Sequence, residues 1–441
     1  MKEVKELLGL KNNNVKVLSV EEKAIDNEKI QFITLKGTIN KLKCPKCGKY
    51  TKSIHDKLKP ITVKYNKVVD RKCYLILYKR RFICRQCNER ITEDLGLNLT
   101  RKTVSKSLEI KIRKDLLKPN FTIKQIAEDN DVSQDKVRNI LKDVMSDYPD
   151  YLTTLPQVIS FDEFKADTSY GKYAFIINDP IKKRTLDILP NRRKDYLISY
   201  FTHVENRENV KYVISDMYEP YLLVTKVMFK NAKYAVDRFH YVTYIMDALD
   251  DIRIRLQKTY GYNSKEYKLL KNKKSVSLLR KYYNEVNWYV LTKRYEKGRY
   301  VYKLPIDILH QLLNINDELD RGYQLKELFL DIVHHDYSLK QVEIELNSWI
   351  DLCKESKIEE FIDASKTIEN WLPYIINSFI DKRFTNGYTE GLNNKIKVIK
   401  RNAYGYKNFE FFRLRLMYIL NGILSGRSKK NNNKKLQNNT N

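Results

Sequence analysis

The stretch that decides the fold is Val158-Ile159-Ser160-Phe161-Asp162-Glu163-Phe164, in which an apolar, β-branched run ends in two carboxylates. Such a run predicts a buried strand that delivers an acid to the edge of a sheet. The pattern returns at 212–216 and 234–237, and both of these runs also end in Asp. If the three strands are parallel neighbours, Asp162, Asp216 and Asp237 reach one edge, where open α/β sheets place their sites. Because close carboxylates repel and a divalent cation relieves that repulsion, we expect a metal-dependent site for phosphoryl transfer.

The segments around this stretch predict the order of a mixed α/β core: three strands, helix, strand, helix, strand, helix. Their predicted ranges are 158–162, 172–178, 184–189, 194–204, 212–215, 220–229, 233–237 and 239–258. This is the order of an RNase H-like core, in which the first strand lies beside the fourth, so that Asp162 and Asp216 can converge. We predict an RNase H-like catalytic core formed by 151–258 and 371–426, interrupted by an α-helical insertion at 259–370. A final helix at 409–423 is expected to pack on the sheet, and the basic tail at 427–441 to be disordered.

Two Cys-x-x-Cys pairs, Cys44/Cys47 and Cys84/Cys87, lie in the N-terminal region 1–99. Each pair closes a tight turn whose sulfur atoms face one point, and two such turns make the four-thiolate set that zinc prefers. The segment between them alternates like strands, so we predict a zinc ribbon with one structural Zn²⁺. A closed site with four cysteines has no open position for catalysis.

Residues 100–150 predict a helix-turn-helix domain for DNA binding. Ser133 is a natural N-cap for a helix whose apolar positions fall at 137, 140, 141 and 144. This places polar side chains near the start of the second helix, where base edges are read. We expect DNA contacts from Gln134, Lys136, Arg138 and Asn139. An ordinary helical hairpin is the alternative interpretation.

A third acid, Glu390, begins a polar stripe on a predicted helix whose apolar face is Leu392, Ile396 and Ile399. Glu390 is two residues from Leu392 and therefore points about 200° away from it. Lys397 and Arg401 follow Glu390 on the same stripe, which suits a metal ligand beside cations that bind phosphate. The alternative is a charged helix face exposed to solvent.

The composition favours a polyanionic partner. The formal net charge is +28, from 83 Lys and Arg against 55 Asp and Glu, although AT-rich coding explains part of the lysine excess. The chain begins without a signal-peptide pattern and has no apolar stretch of about 18 residues. We therefore expect a cytoplasmic, nucleoid-associated protein without a membrane partner.

The motifs taken together resemble the ISL3-type insertion-sequence transposases of bacteria, which belong to the DDE superfamily. The resemblance rests on the two Cys-x-x-Cys pairs, the helix-turn-helix, and four further blocks between residues 161 and 393. These blocks are Phe161-Asp162-Glu163-Phe164, Ser215-Asp216-Met217-Tyr218-Glu219-Pro220-Tyr221, Val236-Asp237-Arg238-Phe239-His240, and Thr385-Asn386-Gly387 with Glu390-Gly391-Leu392-Asn393.

The resemblance implies a catalytic triad of Asp162, Asp216 and Glu390 that holds two Mg²⁺ or Mn²⁺ ions. It also selects Asp216 over Asp237, a choice that composition leaves open. Asp237 and His240 either support this site or serve as a strand-end cap and a core histidine. The implied partners are the terminal inverted repeats and the target DNA, both double-stranded, and we expect a homodimer on DNA. Two other functions stay open: a DNA-binding protein with a silent core, and a nuclease that cuts without joining.

Overall fold

The computed structural model describes residues 14–68, 70–95, 97, 103–146, 148–149, 152–286, 291–296, 299–385 and 387–422, together with Val4 and Glu6. The side chains of residues 292–296, 299–301, 303 and 390 lie outside that description. The predicted tail at 427–441 also lies outside the described residues. The chain divides into two compact units, of which the first holds residues up to Tyr148 and the second begins at Pro149.

The first unit contains a four-stranded sheet with the order β1-β2-β7-β6. Strands β2 and β7 are parallel, and the two outer pairs are antiparallel. Alternate side chains such as Ile33, Leu35, Leu75 and Leu77 form a buried core on one face. The strands are β1 (Val15–Ile25), β2 (Glu28–Gly37), β6 (Ile61–Lys64) and β7 (Cys73–Tyr78).

Five short strands accompany the cysteine pairs: β3 (Leu42–Lys43), β4 (Tyr50–Thr51), β5 (Ile54–Lys57), β8 (Arg80–Ile83) and β9 (Arg90–Thr92). Three helices follow, α1 (Lys106–Leu116), α2 (Ile123–Asp129) and α3 (Gln134–Val144). Each begins at a hydroxyl N-cap, because the side chains of Ser105, Thr122 and Ser133 each accept the backbone N–H three residues further along.

The second unit is built on a five-stranded sheet with the order β12-β11-β10-β13-β14. Strand β11 is antiparallel to both of its neighbours, β10 and β12, whereas β13 and β14 run parallel to β10. The strands are β10 (Val158–Thr168), β11 (Gly171–Asp179), β12 (Arg184–Leu189), β13 (Tyr212–Ser215) and β14 (Lys233–Val236). The expected neighbours, the first and fourth strands of this region, are therefore adjacent.

The first strand is longer than its apolar run predicts. Strand β10 continues to Thr168, so that Asp162 lies within it rather than at its end. The antiparallel pairing of β10 with β11 runs to Lys165 and, after a register shift, to Thr168, whereas the parallel pairing of β10 with β13 ends at Ser160. Asp162 therefore emerges beside the last residue of β13, which preserves the expected geometry.

The helices of the core are α4 (Lys194–Phe201), α5 (Glu219–Met228) and α6 (Arg238–Thr259). The region 259–370 adds α7 (Lys265–Lys271), α8 (Lys273–Leu279), α9 (Pro305–Leu313), α10 (Asp317–His334), α11 (Leu339–Glu355) and α12 (Glu359–Asn377). It also contains a β-hairpin, β15 (Thr292–Glu296) with β16 (Arg299–Lys303), so it is not purely helical as expected. The alternating Tyr, Val and Arg residues of this segment favour strands.

The helical region shares one continuous hydrophobic core with the sheet. Phe161 and Phe175 of the sheet belong to the same buried cluster as Tyr241 of α6, Phe329 of α10 and Trp349 of α11. The opposite face of the sheet packs a smaller cluster of Ile214, Ala235 and Phe384. The sheet is thus covered on both sides, as its parallel strands require.

Two helices complete the described chain, α13 (Gly387–Asn402) and α14 (Phe409–Asn421). Helix α14 differs from the expectation that it packs on the core sheet. All of it beyond Phe409 belongs to the first unit, where Arg415 donates to the carbonyl oxygens of Leu116 and Lys118 at the end of α1. The amphipathic pattern of α14 predicted a buried face but could not specify which neighbour covers it.

Candidate metal sites of the two units

The four predicted zinc ligands of the first unit come together. The sulfur atoms of Cys44, Cys47, Cys84 and Cys87 lie within 4.8 Å of one another, with 3.5 Å between Cys44 and Cys87 and between Cys47 and Cys84. This is a closed set of soft donors, which fits tetrahedral zinc. Backbone amides of Cys87 and Gln86 lower the pKa of Cys84 to about 6, which favours the thiolate that a metal needs.

The two cysteine turns are built alike. The amide N–H groups of Gly48 and Asn88 donate to the carbonyl oxygens of Cys44 and Cys84, at 2.9 and 2.8 Å. Both residues have positive φ, +74° for Gly48 and 57° for Asn88, a conformation that Gly and Asn adopt most readily. The sequence therefore supplies the residue types that each turn requires.

In the second unit, Asp162 is held by its own strand and by helix α13. The side-chain amide of Asn393 donates to Asp162 Oδ2 at 2.9 Å, and the backbone N–H of Glu163 donates to Oδ1 at 2.6 Å. Burial and the nearby charge of Asp216 raise the pKa of Asp162 to about 7. The two carboxylates are thus close enough to repel each other, as we expected from their strands.

Asp216 follows β13 and lies against a histidine. Its Oδ1 is 2.6 Å from Nε2 of His240, and its backbone carbonyl accepts the hydroxyl of Tyr234 at 2.7 Å. Asp237 is almost fully buried, with Oδ2 3.8 Å from the same His240 nitrogen. Burial is the largest single influence and lowers the pKa of His240. The hydrogen bond to Asp216 and the negative charges of Asp216, Asp237 and Asp162 together outweigh burial and leave that pKa above its usual value.

Ligand atoms of Asp216, Asp237 and His240 lie within 4.8 Å of one another, whereas Asp162 is not a member of that group. The alternative for Asp237 and His240, a strand-end cap and a core histidine, describes part of their setting, since Asp237 precedes α6 as its N-cap residue. A core histidine alone does not account for the contact of His240 with the Asp216 carboxylate.

Glu163, the neighbour of Asp162, points to the other side of the strand, where Arg192 and Tyr221 hold it. The hydroxyl of Tyr221 donates to Glu163 Oε2 at 2.6 Å, and Arg192 donates to Oε1. The guanidinium of Arg192 also lies over the ring of Tyr173, 4.5 Å from its centroid. Sequence reasoning missed Arg192 and Asn393, although Asn393 is part of the quoted motif and its amide could have suggested a carboxylate partner.

Helix α13 carries position 390, whose side chain lies outside the described residues. The hydroxyl of Thr389 accepts a 3.0 Å hydrogen bond from the buried amide of Asn178 on β11. The neighbouring turn of the helix is held at Asp162 by Asn393. Lys397 and Arg401, further along this helix, are exposed.

The predicted DNA-contacting residues begin helix α3 of the first unit. Gln134 and Asn139 are exposed, whereas Lys136 and Arg138 are half-buried. Arg138 donates to Asp135 at 2.8 Å, a pairing that the sequence analysis did not anticipate. Val137, Ile140 and Leu141 are buried as the helical spacing predicts, while Val144 is half-buried.

Within the described residues, none of the helices combines the length and the apolar character needed to cross a membrane.

Comparison with known proteins identifies two regions of this chain. Residues 159–416, more than half of the chain, match a family model described as transposase of the ISL3 type. Residues 41–87 match a model described as the zinc finger of transposases IS204, IS1001, IS1096 and IS1165. The second match spans all four clustered cysteines, so the residues present fit one structural Zn²⁺.

Two individual proteins also match. The transposase for insertion sequence element IS1001 of Bordetella parapertussis is 23% identical over 394 residues, which cover 87% of this chain and 90% of that protein. A protein of Lactococcus lactis subsp. lactis named ATP-dependent protease is 35% identical over 127 residues, which cover 28% of this chain and 38% of its own length. The long match and both family models agree with the resemblance in the motifs, and the chain belongs to the ISL3 family of insertion-sequence transposases.

Proposed function

We propose that this protein is an active DNA transposase that binds the terminal inverted repeats of its element, cuts the DNA there and joins the cut end to target DNA. The single observation that carries the proposal is the electrostatic coupling of Asp162 with Asp216 at the edge where β10 and β13 run parallel. Two neighbouring, half-buried acids in a basic protein of this family are suited to binding a cation next to a phosphodiester.

The sheet supports an RNase H-like core. Three antiparallel strands followed by two parallel strands, in the order β12-β11-β10-β13-β14, place the first strand at the centre. In this proposal Asp162, Asp216 and Glu390 would hold two Mg²⁺ or Mn²⁺ ions. The donor set fits, because hard cations prefer carboxylate oxygens. Burial and the neighbouring charge of Asp216 raise the pKa of Asp162, and a bound cation would offset both effects. Two such ions supply activation of the attacking oxygen and stabilisation of the leaving 3′ oxygen.

The residues of the chain orient these ligands. Asn393 fixes one oxygen of Asp162, and His240 and Tyr234 hold the side chain and backbone of Asp216. Position 390 precedes Asn393 by three residues in α13, and positions three apart share a helix face. This spacing supports Glu390 as the third ligand. Lys397 and Arg401 are proposed to bind phosphates of the DNA.

The helices α2 and α3 are proposed to form the helix-turn-helix, with Gln134, Lys136, Arg138 and Asn139 reading the repeat. The basic composition and the accompanying zinc ribbon support a role in DNA binding. We also propose that the protein acts as a homodimer, with one subunit on each end of the element, because transposition requires the two ends to be paired.

The test is cleavage and joining of a labelled duplex that carries the terminal repeat flanking this gene. With Mg²⁺, the wild-type protein should give both cut and joined products. Asp162→Asn, Asp216→Asn and Glu390→Gln should each lower cleavage more than about 100-fold while the duplex is still bound. Asp195→Asn removes an exposed acid of the same unit and should leave cleavage unchanged.

The outcomes separate the alternative functions. Cutting without joining identifies a nuclease, and binding of the repeat without any product identifies a DNA-binding protein with a silent core. Cleavage that survives one of the three substitutions removes that residue from the proposed triad.

A further inference from the structure

The four-stranded sheet of the first unit has a second face that does not belong to the core, and we call it the outer face. Side chains alternate between the two faces of a strand, so the neighbours of the buried Ile33 and Leu75 point outwards. The outer face combines three rings with basic residues. The rings are those of Phe32, Tyr74 and Tyr78, and the basic residues beside them include Lys16, Lys36 and Lys64.

The register of the strands brings these side chains side by side. Phe32 of β2 lies opposite Tyr74 of β7, and the two rings are stacked with centroids 5.7 Å apart and planes 18° apart. Lys36 lies opposite Tyr78 on one side and Lys16 on the other. Tyr78 is 42% exposed, and Phe32 and Tyr74 are half-buried. The two central strands thus present a row of rings at a surface.

Cations already lie over these rings. The ammonium of Lys23 is 5.6 Å from the centroid of Phe32, and that of Lys64 is 5.3 Å from the centroid of Tyr74. Lys23 is exposed and its long side chain can turn aside, so a flat aromatic partner can take its place over Phe32 while the ammonium moves to a phosphate. The ammonium of Lys64 is held by Asp131 beside Tyr74.

The outer face leads into a cavity of about 290 Å³ within the same unit. Lys64 and Tyr74 line the cavity from the sheet, and Ser133 and Lys136 line it from the start of helix α3. The cavity therefore adjoins both the ring of Tyr74 and the start of α3, the helix that is proposed to read bases.

The charge of this surface is positive. Its acids are each paired with a lysine, Glu21 with Lys23 at 3.2 Å and Asp131 with Lys64. Lys16 and Lys36 are exposed and add positive charge beside the rings. A surface of rings and cations is complementary to a strand whose bases and phosphates are both accessible.

We propose that the outer face binds single-stranded DNA, with unpaired bases stacked on Phe32, Tyr74 and Tyr78 and phosphates bound by the lysines beside them. A duplex does not fit, because its bases are already stacked on one another and cannot reach the rings. The inference rests on the proposed function, since a strand opened at the end of the element, next to the duplex held by α3, is the DNA that would reach this face.

The experiment measures the affinity of the full-length protein for a fluorescein-labelled oligo-dT of about 12 nucleotides, by fluorescence anisotropy at fixed salt. Phe32→Leu and Tyr74→Leu keep the apolar bulk but remove the ring, and each should weaken binding roughly tenfold. Tyr74→Phe keeps the ring and should bind like the wild type.

Tyr50→Leu is the matched control. Tyr50 is 64% exposed and has the ammonium of Lys41 5.0 Å from its ring centroid, but it lies outside the outer face. Its substitution should leave the affinity for oligo-dT unchanged. Circular dichroism and the zinc content of each variant establish that it is folded.

Binding of the terminal-repeat duplex is measured in parallel. Phe32→Leu and Tyr74→Leu should leave it intact, whereas Lys136→Ala should weaken it. Unchanged oligo-dT affinity in both leucine variants overturns the inference, and so does tighter binding of oligo-U than of oligo-dT. A wild-type protein that binds the duplex but not oligo-dT also overturns it. Oligo-dT binding that depends on the rings, without any binding of the duplex, supports the inference and instead refutes the proposed end recognition.

Discussion

At the scale of single residues, the site is defined by Asp162, an acid whose surroundings disfavour its charge. Asp162 is largely buried beside Asp216, and the same surroundings that raise its pKa to about 7 would hold a cation. Asn393 and His240 each fix one of the two carboxylates. The fold therefore holds the carboxylates of Asp162 and Asp216 close enough to repel each other, and binding of a metal ion would relieve that repulsion.

The raised pKa of Asp162 predicts that the stability of the protein without Mg²⁺ or Mn²⁺ decreases as the pH rises. The carboxyl of an unfolded chain loses its proton near its usual pKa of 3.8, whereas the folded protein keeps that proton until about pH 7. Stability therefore falls as the pH rises between these values. Asp162→Asn should raise the Tm by a few degrees at pH 8 in buffer without added Mg²⁺ or Mn²⁺, but not at pH 4.

Differential scanning calorimetry checks this, with Mg²⁺ added in a second series. The wild-type protein should gain more from Mg²⁺ than the variant does, because the variant has lost a ligand. Equal Tm values for both proteins at pH 8 without added Mg²⁺ or Mn²⁺ would show that the carboxylate is not destabilising.

His240 is predicted to position Asp216. His240→Ala removes the imidazole that holds the Asp216 carboxylate, so this proposed metal ligand is still present but no longer fixed. Cleavage should therefore fall roughly 10- to 100-fold and need more Mg²⁺. His240→Gln keeps a donor near Asp216 and should recover part of the loss. The measurement is the Mg²⁺ dependence of cleavage, with the exposed His335→Ala as the control. An unchanged Mg²⁺ dependence in His240→Ala would assign His240 to structure alone.

At the scale of elements, the local sequence predicts where strands form but not how far pairing extends them or which distant residues they contact. The apolar runs ending in Asp predicted the strands and their parallel edge, because strand period and burial are local signals. The extension of β10 beyond Asp162 was not predicted, since pairing with β11 carries the strand past its apolar residues. The hydrogen bond between Asn393 and Asp162 was not predicted either, because it joins residues 231 positions apart.

Helix α13 is predicted to be held at the site by one face. Asn393→Ala removes the donor to Asp162, so cleavage should fall roughly tenfold while the repeat is still bound. Asn394→Ala, an exposed neighbour in the same helix, is the matched control and should behave like the wild type. If both variants cleave equally well, the contact of α13 with Asp162 has no functional role.

The zinc ribbon is predicted to depend on its metal for folding. Cys47→Ser and Cys84→Ser should each lose the zinc, since three thiolates leave the tetrahedral set incomplete. Cys73→Ala should keep it, because Cys73 is buried in the core of the β2–β7 sheet and is not one of the clustered sulfurs. Elemental analysis of the purified variants gives the zinc content. Full zinc occupancy in Cys84→Ser would contradict the site.

At the scale of the whole molecule, the first unit is completed by residues from the end of the chain. The guanidinium of Arg415 in α14 is 1% exposed and donates to the carbonyl oxygens of Leu116, Lys118 and Phe121. Carbonyl groups at a helix end have no partner within the helix, so Arg415 satisfies acceptors that α1 leaves open. The sequence showed an arginine in an apolar helix, but its partners lie about 300 positions away and no local pattern identifies them.

Arg415→Met should therefore loosen the helices α1 to α3. The substitution removes the side-chain donor to the carbonyl groups of Leu116, Lys118 and Phe121, a loss on the order of 2–4 kcal/mol. Arg415→Lys should rescue little, since a single ammonium cannot replace a planar fork that reaches three acceptors. Hydrogen exchange of the peptides covering 106–144 is the measurement. Wild-type protection of those peptides in Arg415→Met would contradict this role.

The most direct test of the central claim is the position of metal in crystals of the protein bound to its terminal-repeat DNA and soaked in Mn²⁺. We predict anomalous density between the carboxylates of Asp162 and Asp216, with Glu390 as a further ligand. The account is contradicted if manganese binds only to Asp216, Asp237 and His240, or if the carboxylates of Asp162 and Glu390 lie on separate surfaces with no metal between them.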